Sequence, residues 1–389
     1  MKHDDQQYKE LLDEFTESVI NRASLFSKLA SGKKFRVKLG LDPTSPDIHL
    51  GHAVVLRKMR QFQDLGHVAV FIIGDYTARI GDPSGKSKTR PGLSPGDIEG
   101  NVSTYFKQAG KIIDMGKAET YRNSEWFSTM PLEEFIKIAS RFSTQRIMDR
   151  EDFKTRIKKG EEVAHHETLY QVMQAYDSVA VSADVELGGR DQLLNLLAGR
   201  ELQKKMGKPE QDIITMPILV GTDGKEKMSK SLGNYVGLMD ESKAMFGKIM
   251  SIPDDVIPEY FKLALFVQNE AEKQISERLK KENPRDVKLD LAEGIVSLYW
   301  GVTEARGAKE DFIRIFSKKE LTGDDATFLE VFSEPFPLVV FLVQNGLVSS
   351  ASAARRLIRE GAVEVYGTVI KNPKENFIPK QDGILRVGR

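Results

Sequence analysis

The first half of the chain alternates between strand-like segments and segments whose apolar residues have a helical spacing. FRVKLGLD (35–42) and VAVFIIGD (68–75) have the composition of buried strands. Between them, apolar residues three or four positions apart predict a helix that begins near Gly51 and buries one face. The residues of that face are Val55, Met59, Phe62 and Leu65. A strand, a helix and a second strand in this order predict a βαβ unit, and therefore a parallel sheet.

The same rules predict the elements of the rest of the chain. One amphipathic helix is expected at 8–30, and a largely helical region is expected at 240–316. The last 55 residues are expected to form a separate small unit with one helix and a short sheet. The other predicted helices lie near 97–114, 132–141, 165–177 and 190–206, and the other predicted strands lie near 184–187 and 211–215.

The composition is that of a globular protein with ample core, because 40% of the 389 residues are hydrophobic and 29% are charged. No segment approaches the roughly 20 apolar residues that a membrane helix needs. The polar, acidic N-terminus does not have the pattern of a signal peptide. The chain has no cysteine, which excludes disulfides and thiolate chemistry and fits a reducing, cytoplasmic location.

Charge is balanced overall but not along the chain. The sequence has 57 Lys and Arg residues and 57 Asp and Glu residues. Residues 335–389 contain eight basic and four acidic residues, so this segment is net +4 and the remainder is net −4. A basic C-terminal unit favours a polyanionic partner.

HLGH, from His49 to His52, lies where the first predicted strand leads into its helix. The N-terminus of a helix presents unpaired N–H groups that attract phosphate, and two histidines three residues apart could donate to phosphoryl oxygens. Gly51 would let a flat ring approach the backbone. A metal site would need a third ligand, and no His-Glu-x-x-His pattern occurs. An ordinary pair of packing histidines explains the motif equally well.

GDPSGKS (81–87) superficially resembles a phosphate-binding P-loop. The P-loop pattern requires a glycine five residues before Gly85, and that position is Ile80. We therefore reject the P-loop. The turn still carries a carboxylate, Asp82, beside two cations, Lys86 and Arg90, which would suit a zwitterionic amino acid near phosphates. A solvated turn is the alternative interpretation.

YQVMQAYD (170–177) places Tyr170, Gln174 and Asp177 on one face of its predicted helix. A face with these three side chains is a poor core surface in an otherwise apolar helix. It would form a good pocket for a small polar ligand, although a half-exposed helix face would have the same pattern.

VELGGRDQ (185–192) runs from a predicted strand through two glycines into a helix that Asp191 and Gln192 would open. Glycines there would let the backbone approach a ligand. A simple strand-to-helix turn is the competing explanation.

TDGKEKMSKSLGN (222–234) contains the string KMSKS in a glycine-flanked segment without amphipathic spacing. Lysines on such a loop can move in and neutralise a leaving pyrophosphate. Basic surface loops are common, but this string is not.

HLGH after the first strand and KMSKS after the last resemble the paired motifs of class I aminoacyl-tRNA synthetases. GDPSGK, YxxxQxYD and GGxDQ between them narrow the resemblance to the tyrosyl-tRNA synthetase family, and the resemblance covers essentially the whole chain. It implies an α/β fold with a Rossmann-like parallel-sheet catalytic domain, an α-helical domain and a small α+β RNA-binding module. The implied bounds are 1–220 for the catalytic domain with its N-terminal helix, 221–239 for the KMSKS loop, 240–320 for the helical anticodon-recognition domain, 321–334 for a linker and 335–389 for the module.

The resemblance also implies the activity and the partners. Tyrosine is activated with ATP to tyrosyl-adenylate and pyrophosphate, and its tyrosyl group then passes to the 3′ end of tRNA(Tyr). Magnesium would arrive with ATP, and no protein-bound zinc or other metal is expected. The chain is expected to form a homodimer and to have no membrane association.

The matching residues take roles from the resemblance. The implied catalytic residues are His49, His52, Lys86, Arg90, Lys227 and Lys230. The implied ATP-binding residues are Gly40, Asp42, Thr44, His49, Gly51, His52, Gly189, Asp191, Lys227, Met228, Ser229, Lys230 and Ser231. The implied tyrosine-binding residues are Asp82, Asn123, Tyr170, Gln174, Asp177 and Gln192. Asp177 would accept the phenolic hydroxyl, and phenylalanine would leave that buried carboxylate unpaired, an effect for which this family is itself a well-known example.

Three positions depart from the family pattern. One is Leu39, which stands where some members have a polar contact to the ribose. Many members have a tyrosine that helps to bind the phenolic hydroxyl where this chain has Lys38, which puts that second contact in doubt. Arg190 stands where a small residue is usual and could pair with Asp191 or alter ligand access. These departures indicate a distinct branch of the family. They do not indicate a loss of function, because the charged positions named above are all present.

The C-terminal helix SSASAARRLIREG has a basic side. Arg355, Arg356 and Arg359 are predicted opposite its apolar residues, and Gly361 is placed to end the helix. This basic face suits contact with RNA backbone. Without the resemblance, a solvated helix face would be an equal explanation.

Three other functions fit these residues less well than that of a tyrosyl-tRNA synthetase. A tryptophanyl-tRNA synthetase shares the class I motifs, but an indole N–H would not require the Asp177 face. A non-catalytic RNA-binding relative would often lose ATP-binding residues that this chain keeps. A generic ATP hydrolase is disfavoured by the failed P-loop.

Overall fold

A computed structural model describes residues 5–83, 94–317, 336–348, 350–377 and 385–387. The chain forms two compact units, Met1–Phe312 and Ile313–Arg389. Lys86, Arg90 and the proposed linker at 321–334 lie outside the described residues. The division into two units does not test the five domain bounds given above, so these bounds stay predictions.

A six-stranded sheet forms the centre of the first unit, in the order β1-β6-β5-β2-β3-β4. Its strands are β1 Ser18–Ile20, β2 Arg36–Leu41, β3 Val68–Ile73, β4 Glu119–Arg122, β5 Val185–Gly189 and β6 Asp212–Met216. Strands β2 to β6 are parallel to their neighbours, and β1 is antiparallel to β6. The predicted βαβ unit and parallel sheet are confirmed.

Ten helices accompany this sheet in the described part of the first 205 residues. They are α1 Asp5–Asp13, α2 Arg22–Ala30, α3 Leu50–Asp64, α4 Pro95–Ala109, α5 Ser124–Phe127, α6 Leu132–Ala139, α7 Thr144–Met148, α8 Glu151–Lys158, α9 His165–Ala180 and α10 Leu193–Lys205. Helices α9 and α10 pack through buried side chains that include Val172, Ala175, Ala198 and Leu202. Val70 and Ile72 of the sheet pack with Val181 and Ala183.

The single helix predicted at 8–30 is wrong. The segment forms α1, β1 and α2, and β1 pairs with β6 at the edge of the sheet. Phe15 and Asn21 have φ values of 55° and 59°, which lie in the left-handed region that a helix of L-residues does not tolerate. The amphipathic spacing of the two short helices continues across this break, which explains the error.

The predicted helical region at 240–316 is confirmed, and it ends in a π-helical segment at Ile313–Ser317. It contains α11 Ser242–Met250, α12 Ile257–Leu263, α13 Asn269–Lys281, α14 Pro284–Trp300 and α15 Val302–Phe312. Gly301, with φ 89°, separates the last two helices. None of the helices that the structure describes combines the length and the apolar character of a membrane span.

The second unit is a small α+β fold. Its elements are β7 Phe336–Pro337, α16 Leu338–Gln344, α17 Ala351–Arg359, β8 Val363–Val365, β9 Thr368–Ile370, β10 Asn376–Phe377 and β11 Leu385–Val387. Strand β8 pairs antiparallel with β9 and β11, and β7 pairs with β10. Leu342, Ala354, Ile358 and Val363 form its buried centre. The expected helix and short sheet are confirmed, whereas α16 was not predicted.

Candidate active site

Polar residues collect where the parallel strands end at one edge of the sheet. Asp42 follows β2, Gly74 follows β3 and Asn123 follows β4. A Cβ atom on Gly74 would lie 2.0 Å from Asp42 Oδ1, so only glycine lets this carboxylate take its position. Gly40 is exposed although β2 is a central strand, so the sheet is open to solvent at this point. Ligands of open parallel sheets bind at such edges.

Asp177 of α9 lies at the deep end of this opening. Its Oδ1 accepts from Trp126 Nε1 at 3.0 Å, and its Oδ2 accepts from Asn123 Nδ2 at 3.4 Å. Asn123 also donates to Thr77 Oγ1 at 3.0 Å, and Thr77 donates to Asp42 Oδ1 at 2.8 Å. A chain of hydrogen bonds thus connects two carboxylates across the site.

Burial raises the pKa of Asp177 to about 7, against the opposing effects of Lys38 and of the Trp126 and Asn123 hydrogen bonds. The side chain is almost fully buried, so its carboxylate is costly to ionise in the free protein. A further hydrogen-bond donor from a ligand would favour the ionised form. The carboxylate can therefore recognise a hydroxyl group.

Tyr170 and Gln174 lie nearer the mouth of the site on the same helix. Tyr170 Oη donates to Asp42 Oδ2 at 2.9 Å, and burial, with Asp42 and Asp82 nearby, raises the pKa of Tyr170 well above 10. Gln174 Oε1 is buried and has no hydrogen-bond partner among the described residues. Gln192 Nε2 donates to Asp82 Oδ2 at 2.8 Å. Acceptors of this kind suit a cationic group of a ligand.

His49 and His52 lie at the N-terminus of α3, with ring centroids 3.9 Å apart. His52 Nδ1 accepts from the His49 backbone N–H at 3.3 Å, and His49 Nδ1 has no partner within the described residues. A Cβ atom on Gly51 would lie 3.1 Å from the His49 ring, so a larger residue would crowd the pair. The motif therefore places two closely packed imidazole rings at the first turn of α3.

Both histidines are neutral at physiological pH. Burial and the ammonium groups of Lys230 and Lys227 lower the pKa of His49 to about 3. Burial, His49 and the same lysines hold the pKa of His52 well below 6.5. Neutral imidazoles can donate hydrogen bonds to phosphoryl oxygens without adding positive charge.

The KMSKS segment lies directly against the histidines. Leu50 N–H donates to Val236 O at 3.0 Å and Leu238 N–H donates to Ile48 O at 2.8 Å. His49 and Gly237 form an antiparallel bridge between these bonds. Backbone pairing therefore joins two motifs that are far apart in the sequence.

Asn234 holds the KMSKS segment in its folded form. Its Oδ1 accepts from Ser229 N–H at 2.8 Å, and its Nδ2 donates to Asp223 Oδ2 at 2.8 Å and to Lys227 O at 3.2 Å. A Cβ atom on Gly221 would lie 2.1 Å from Asn234 Nδ2, so glycine is required there. The segment is an ordered turn built on one buried amide.

The two KMSKS lysines reach towards opposite parts of the site. Lys227 Nζ lies 3.0 Å from Asp191 Oδ2, after β5. Lys230 Nζ donates to Tyr105 Oη at 3.2 Å, and Tyr105 Oη donates to the Asp42 carbonyl at 3.5 Å. Met228 is buried, and the hydroxyls of Ser229 and Ser231 are 2.9 Å apart. Thr44, Gly189 and Asp191 lie at the carboxyl ends of β2 and β5.

Two of the three unusual positions, Lys38 and Arg190, form ion pairs, and the third, Leu39, is buried. Lys38 is buried, and its Nζ lies 2.6 Å from Glu186 Oε1. Arg190 is exposed and lies 3.7 Å from Glu17 Oε1, whereas its neighbour Asp191 pairs with Lys227. Arg190 therefore does not form the suggested pair with Asp191.

In the second unit, the basic side of α17 is exposed. Arg355, Arg356 and Arg359 face solvent, while Ala354 and Ile358 of the same helix are buried. Gly361 has φ 70° directly after the helix. The expected separation of arginines from apolar residues is confirmed, and their role in binding RNA stays a prediction.

Sequence motifs did not identify Thr77, Tyr105 or Trp126 as residues of the site. Thr77 lies five residues before Asp82, in the same loop after β3. Its position in a loop that carries a predicted site residue could have marked it as a candidate. Trp126 follows β4, which was not predicted because ETYR (119–122) lacks an apolar pattern. Tyr105 lies on α4 and reaches the site only through tertiary packing.

Comparisons with known proteins agree on one family. Residues 30–317 match the family described as tRNA synthetases class I (W and Y), and residues 336–377 match the S4 domain. The chain is 46% identical to a tyrosine–tRNA ligase of Thermotoga maritima over 95% of this chain and 92% of that protein. It is 45% identical to a tyrosine–tRNA ligase of Haemophilus influenzae, over 96% and 93% of the two chains.

Solved structures share the fold at lower sequence identity. A tyrosyl-tRNA synthetase complexed with L-tyrosine from Archaeoglobus fulgidus has a TM-score of 0.64 and 22% identity, over 79% of this chain and 100% of that chain. A truncated mitochondrial tyrosyl-tRNA synthetase of Aspergillus nidulans has a TM-score of 0.66 and 21% identity, over 80% and 98% of the two chains.

Proposed function

The chain belongs to the class I tyrosyl-tRNA synthetases, and we propose on that premise how its own residues bind tyrosine and ATP. Its function is tyrosine–tRNA ligation, with tyrosine, ATP and tRNA(Tyr) as substrates. The proposal concerns the roles of single residues. It rests on the hydrogen bonds and burial around the open edge of the sheet.

The tyrosine ring enters between β2 and α9, with its hydroxyl group towards Asp177. That carboxylate is buried and already accepts from Trp126 and Asn123, so a phenolic donor completes its hydrogen bonding. Towards the mouth, Asp82, Tyr170 and Gln174 receive the ammonium group. The orphaned Gln174 Oε1 supports this direction, because a buried acceptor without a donor is costly unless a ligand supplies one.

ATP binds beside the two histidines, with its α-phosphate at the N-terminus of α3 and its adenine over Gly51. The tyrosine carboxylate is itself the nucleophile, so no residue needs to act as a general base. The carboxylate oxygen bonds to the α-phosphorus as the bond to the pyrophosphate oxygen breaks. His49, His52 and the α3 N-terminus stabilise the extra charge on the α-phosphoryl oxygens.

Lys227 and Lys230 stabilise the departing pyrophosphate. In the free protein both ammonium groups have protein partners, Asp191 and Tyr105, on the two sides of the site. Phosphate oxygens compete for them when ATP binds. Magnesium accompanies ATP, held mainly by its phosphates. Lys86 and Arg90 are proposed to contribute further positive charge. In the second step, the terminal ribose hydroxyl of the tRNA attacks the tyrosyl carbonyl and AMP leaves.

The single observation that carries this proposal is the backbone hydrogen bonding between residues 48–50 and residues 236–238. It holds the segment after KMSKS against HLGH, beside the polar pocket. The test is tyrosine-dependent ATP–pyrophosphate exchange by His52→Ala, with tyrosine binding measured by equilibrium dialysis. Exchange should fall at least about tenfold while the tyrosine Kd is unchanged. His67→Ala, which removes a buried histidine next to Phe35, is the matched control. An equal loss of exchange in both variants would contradict the proposal.

The S4 domain is proposed to bind tRNA through Arg355, Arg356 and Arg359. Their guanidinium groups lie on the exposed side of α17, where phosphate contacts need no base recognition. A triple substitution to glutamate should raise the KM for tRNA(Tyr) and leave pyrophosphate exchange unchanged. An unchanged KM for tRNA would exclude this face.

A homodimer and a cytoplasmic location are also proposed. Leu132 and Ile136 lie one turn apart on α6 and are 73% and 57% exposed, which is unusual for large apolar side chains unless a partner covers them. Ile136→Glu should therefore shift the mass measured by light scattering from two chains to one. A cytoplasmic location fits a substrate that belongs to protein synthesis.

A further inference from the structure

Lys38 is a fully buried lysine in the central strand β2. Its side chain lies on the same face of the strand as Gly40 and Asp42, because side chains in a strand alternate. The ammonium group donates to Glu186 Oε1 at 2.6 Å and Ser178 Oγ at 2.8 Å. Burying an ion pair costs desolvation free energy that its attraction only partly offsets, so the presence of this lysine calls for an explanation.

The third contact of the lysine is on the helix that forms the pocket. Lys38 Nζ donates to the backbone carbonyl of Gln174 at 3.2 Å. Gln174 and Ser178 belong to the same turn of α9 as Asp177. One ammonium group therefore holds both the residue proposed for the tyrosine ammonium and the turn that carries the residue proposed for the phenolic hydroxyl.

Glu186 is itself held firmly beneath the pocket. Its Oε2 accepts from Ser178 Oγ at 3.0 Å and from Gln211 Nε2. Glu186 and Gln211 are both buried. Glu186 lies on β5, and Gln211 directly precedes β6, the parallel neighbour of β5. The lysine is thus anchored to the sheet on one side and to α9 on the other.

We propose that Lys38 is a positioning residue for amino-acid selection, which fixes the Gln174–Ser178 turn of α9 against the sheet and presents a positive charge to Asp177. This inference rests on the proposed tyrosine pocket. In this chain, a buried lysine beneath the pocket thereby supports the turn that carries the residues proposed to contact tyrosine. Selection of tyrosine then depends on a residue that does not touch it.

The charged surroundings of Asp177 agree with this role. Lys38, from β2, lowers the pKa of Asp177, whereas burial and the Asp42 carboxylate raise it. Tyr170 of α9 is uncharged, because its pKa lies well above 10. Asn123 and Trp126 contribute hydrogen bonds but no charge. Loss of the lysine charge should therefore make Asp177 harder to ionise.

The test is ATP–pyrophosphate exchange with tyrosine and with phenylalanine, at pH 6, 7 and 8. Lys38→Met with Glu186→Gln removes the ion pair without leaving a buried charge, and Ser178→Ala removes one lysine contact while both charges stay. The matched control is Lys58→Met, because Lys58 is equally buried but donates to the carbonyls of Leu11 and Glu14, away from the pocket.

The double variant should lose about tenfold or more of its preference for tyrosine, expressed as the ratio of kcat/KM values, through a higher KM for tyrosine. In Ser178→Ala, the preference for tyrosine should fall by a smaller factor, about threefold. The KM for tyrosine should begin to rise on acidification at a higher pH than in the unmodified enzyme. Lys58→Met should lower the melting temperature and keep the preference.

Asp177→Asn separates this inference from the proposed function. If Asp177→Asn keeps the preference for tyrosine, both the pocket and the role of Lys38 are wrong. If Asp177→Asn loses it but the double variant and Ser178→Ala do not, the pocket stands and the inference about Lys38 is overturned.

Discussion

The backbone N–H of Leu238 donates to the carbonyl of Ile48 at 2.8 Å. This hydrogen bond joins the segment after KMSKS to the residue before HLGH. It explains how a turn with little regular structure keeps its lysines beside the histidines. The two motifs are therefore adjacent before substrates bind, and only the lysine side chains must exchange partners when ATP arrives.

Asn234→Ala should slow tyrosine activation. The substitution removes the acceptor for Ser229 and the donor to Asp223, so the KMSKS turn loses its internal support. The rate of adenylate formation, measured by rapid quench, should fall about tenfold for the loss of these buried hydrogen bonds. Leu232→Ala, at an exposed position of the same turn, should leave the rate unchanged. Similar rates in the two variants would refute this explanation.

Lys230→Ala should lower the activation rate far more than the affinity for tyrosine. The ammonium group acts on pyrophosphate in the transition state, so its removal should cost on the order of a hundredfold in rate. Lys225→Ala is the control, because Lys225 is an exposed lysine of the same segment. Single-turnover kinetics and a tyrosine Kd from dialysis separate the two effects. Equal losses in rate and affinity would argue against a role for this lysine in the transition state.

The two histidines should make folding less stable in acid. Their pKa values in the folded enzyme lie below the unfolded value of about 6.5. The unfolded chain therefore binds protons first, and stability falls as the pH falls below about 6.5. At pH 5.5 the expected cost is roughly 1 kcal/mol per histidine. Denaturant unfolding of a variant with both histidines changed to asparagine should lose less stability between pH 7.5 and 5.5 than the unmodified enzyme does. A parallel decline would show that the histidines are not buried as described.

Asp177→Asn should stabilise the free enzyme in mild alkali. The pKa of Asp177 in the folded protein, about 7, lies above its value in the unfolded chain. As the pH rises towards 7, the carboxyl ionises in the unfolded chain but stays protonated in the folded protein, so stability falls. The variant removes this cost, which is about 4 kcal/mol at pH 8 and about 2 kcal/mol at pH 5. Thermal unfolding at the two pH values measures the difference. A gain that is no larger at pH 8 would contradict the burial of this carboxylate.

The parallel sheet could be predicted from the sequence because its central strands are apolar runs with local signals. The site residues could be predicted only where a motif marked them, as for His49 and Asp177. The break at β1 depends on left-handed backbone at Phe15 and Asn21. Asn adopts this conformation more often than most residues and so gave a weak signal, whereas Phe gave none.

The remaining features depend on contacts between distant parts of the chain. Lys38 stands between the apolar residues Val37 and Leu39, and its partner Glu186 is 148 residues away, so no local pattern shows that the charge is paired. The pairing of Ile48 with Leu238 likewise uses backbone groups, which every residue has. Tertiary structure alone reveals such relationships.

The most direct test of the pocket is ATP–pyrophosphate exchange with tyrosine, tryptophan and phenylalanine, offered separately to the unmodified enzyme and to Asp177→Asn. The expected result is exchange with tyrosine in preference to both other amino acids. The variant should lose the preference over phenylalanine, because the buried acceptor for the hydroxyl is weakened. Exchange with tryptophan, or an undiminished preference for tyrosine in Asp177→Asn, would contradict the proposed pocket.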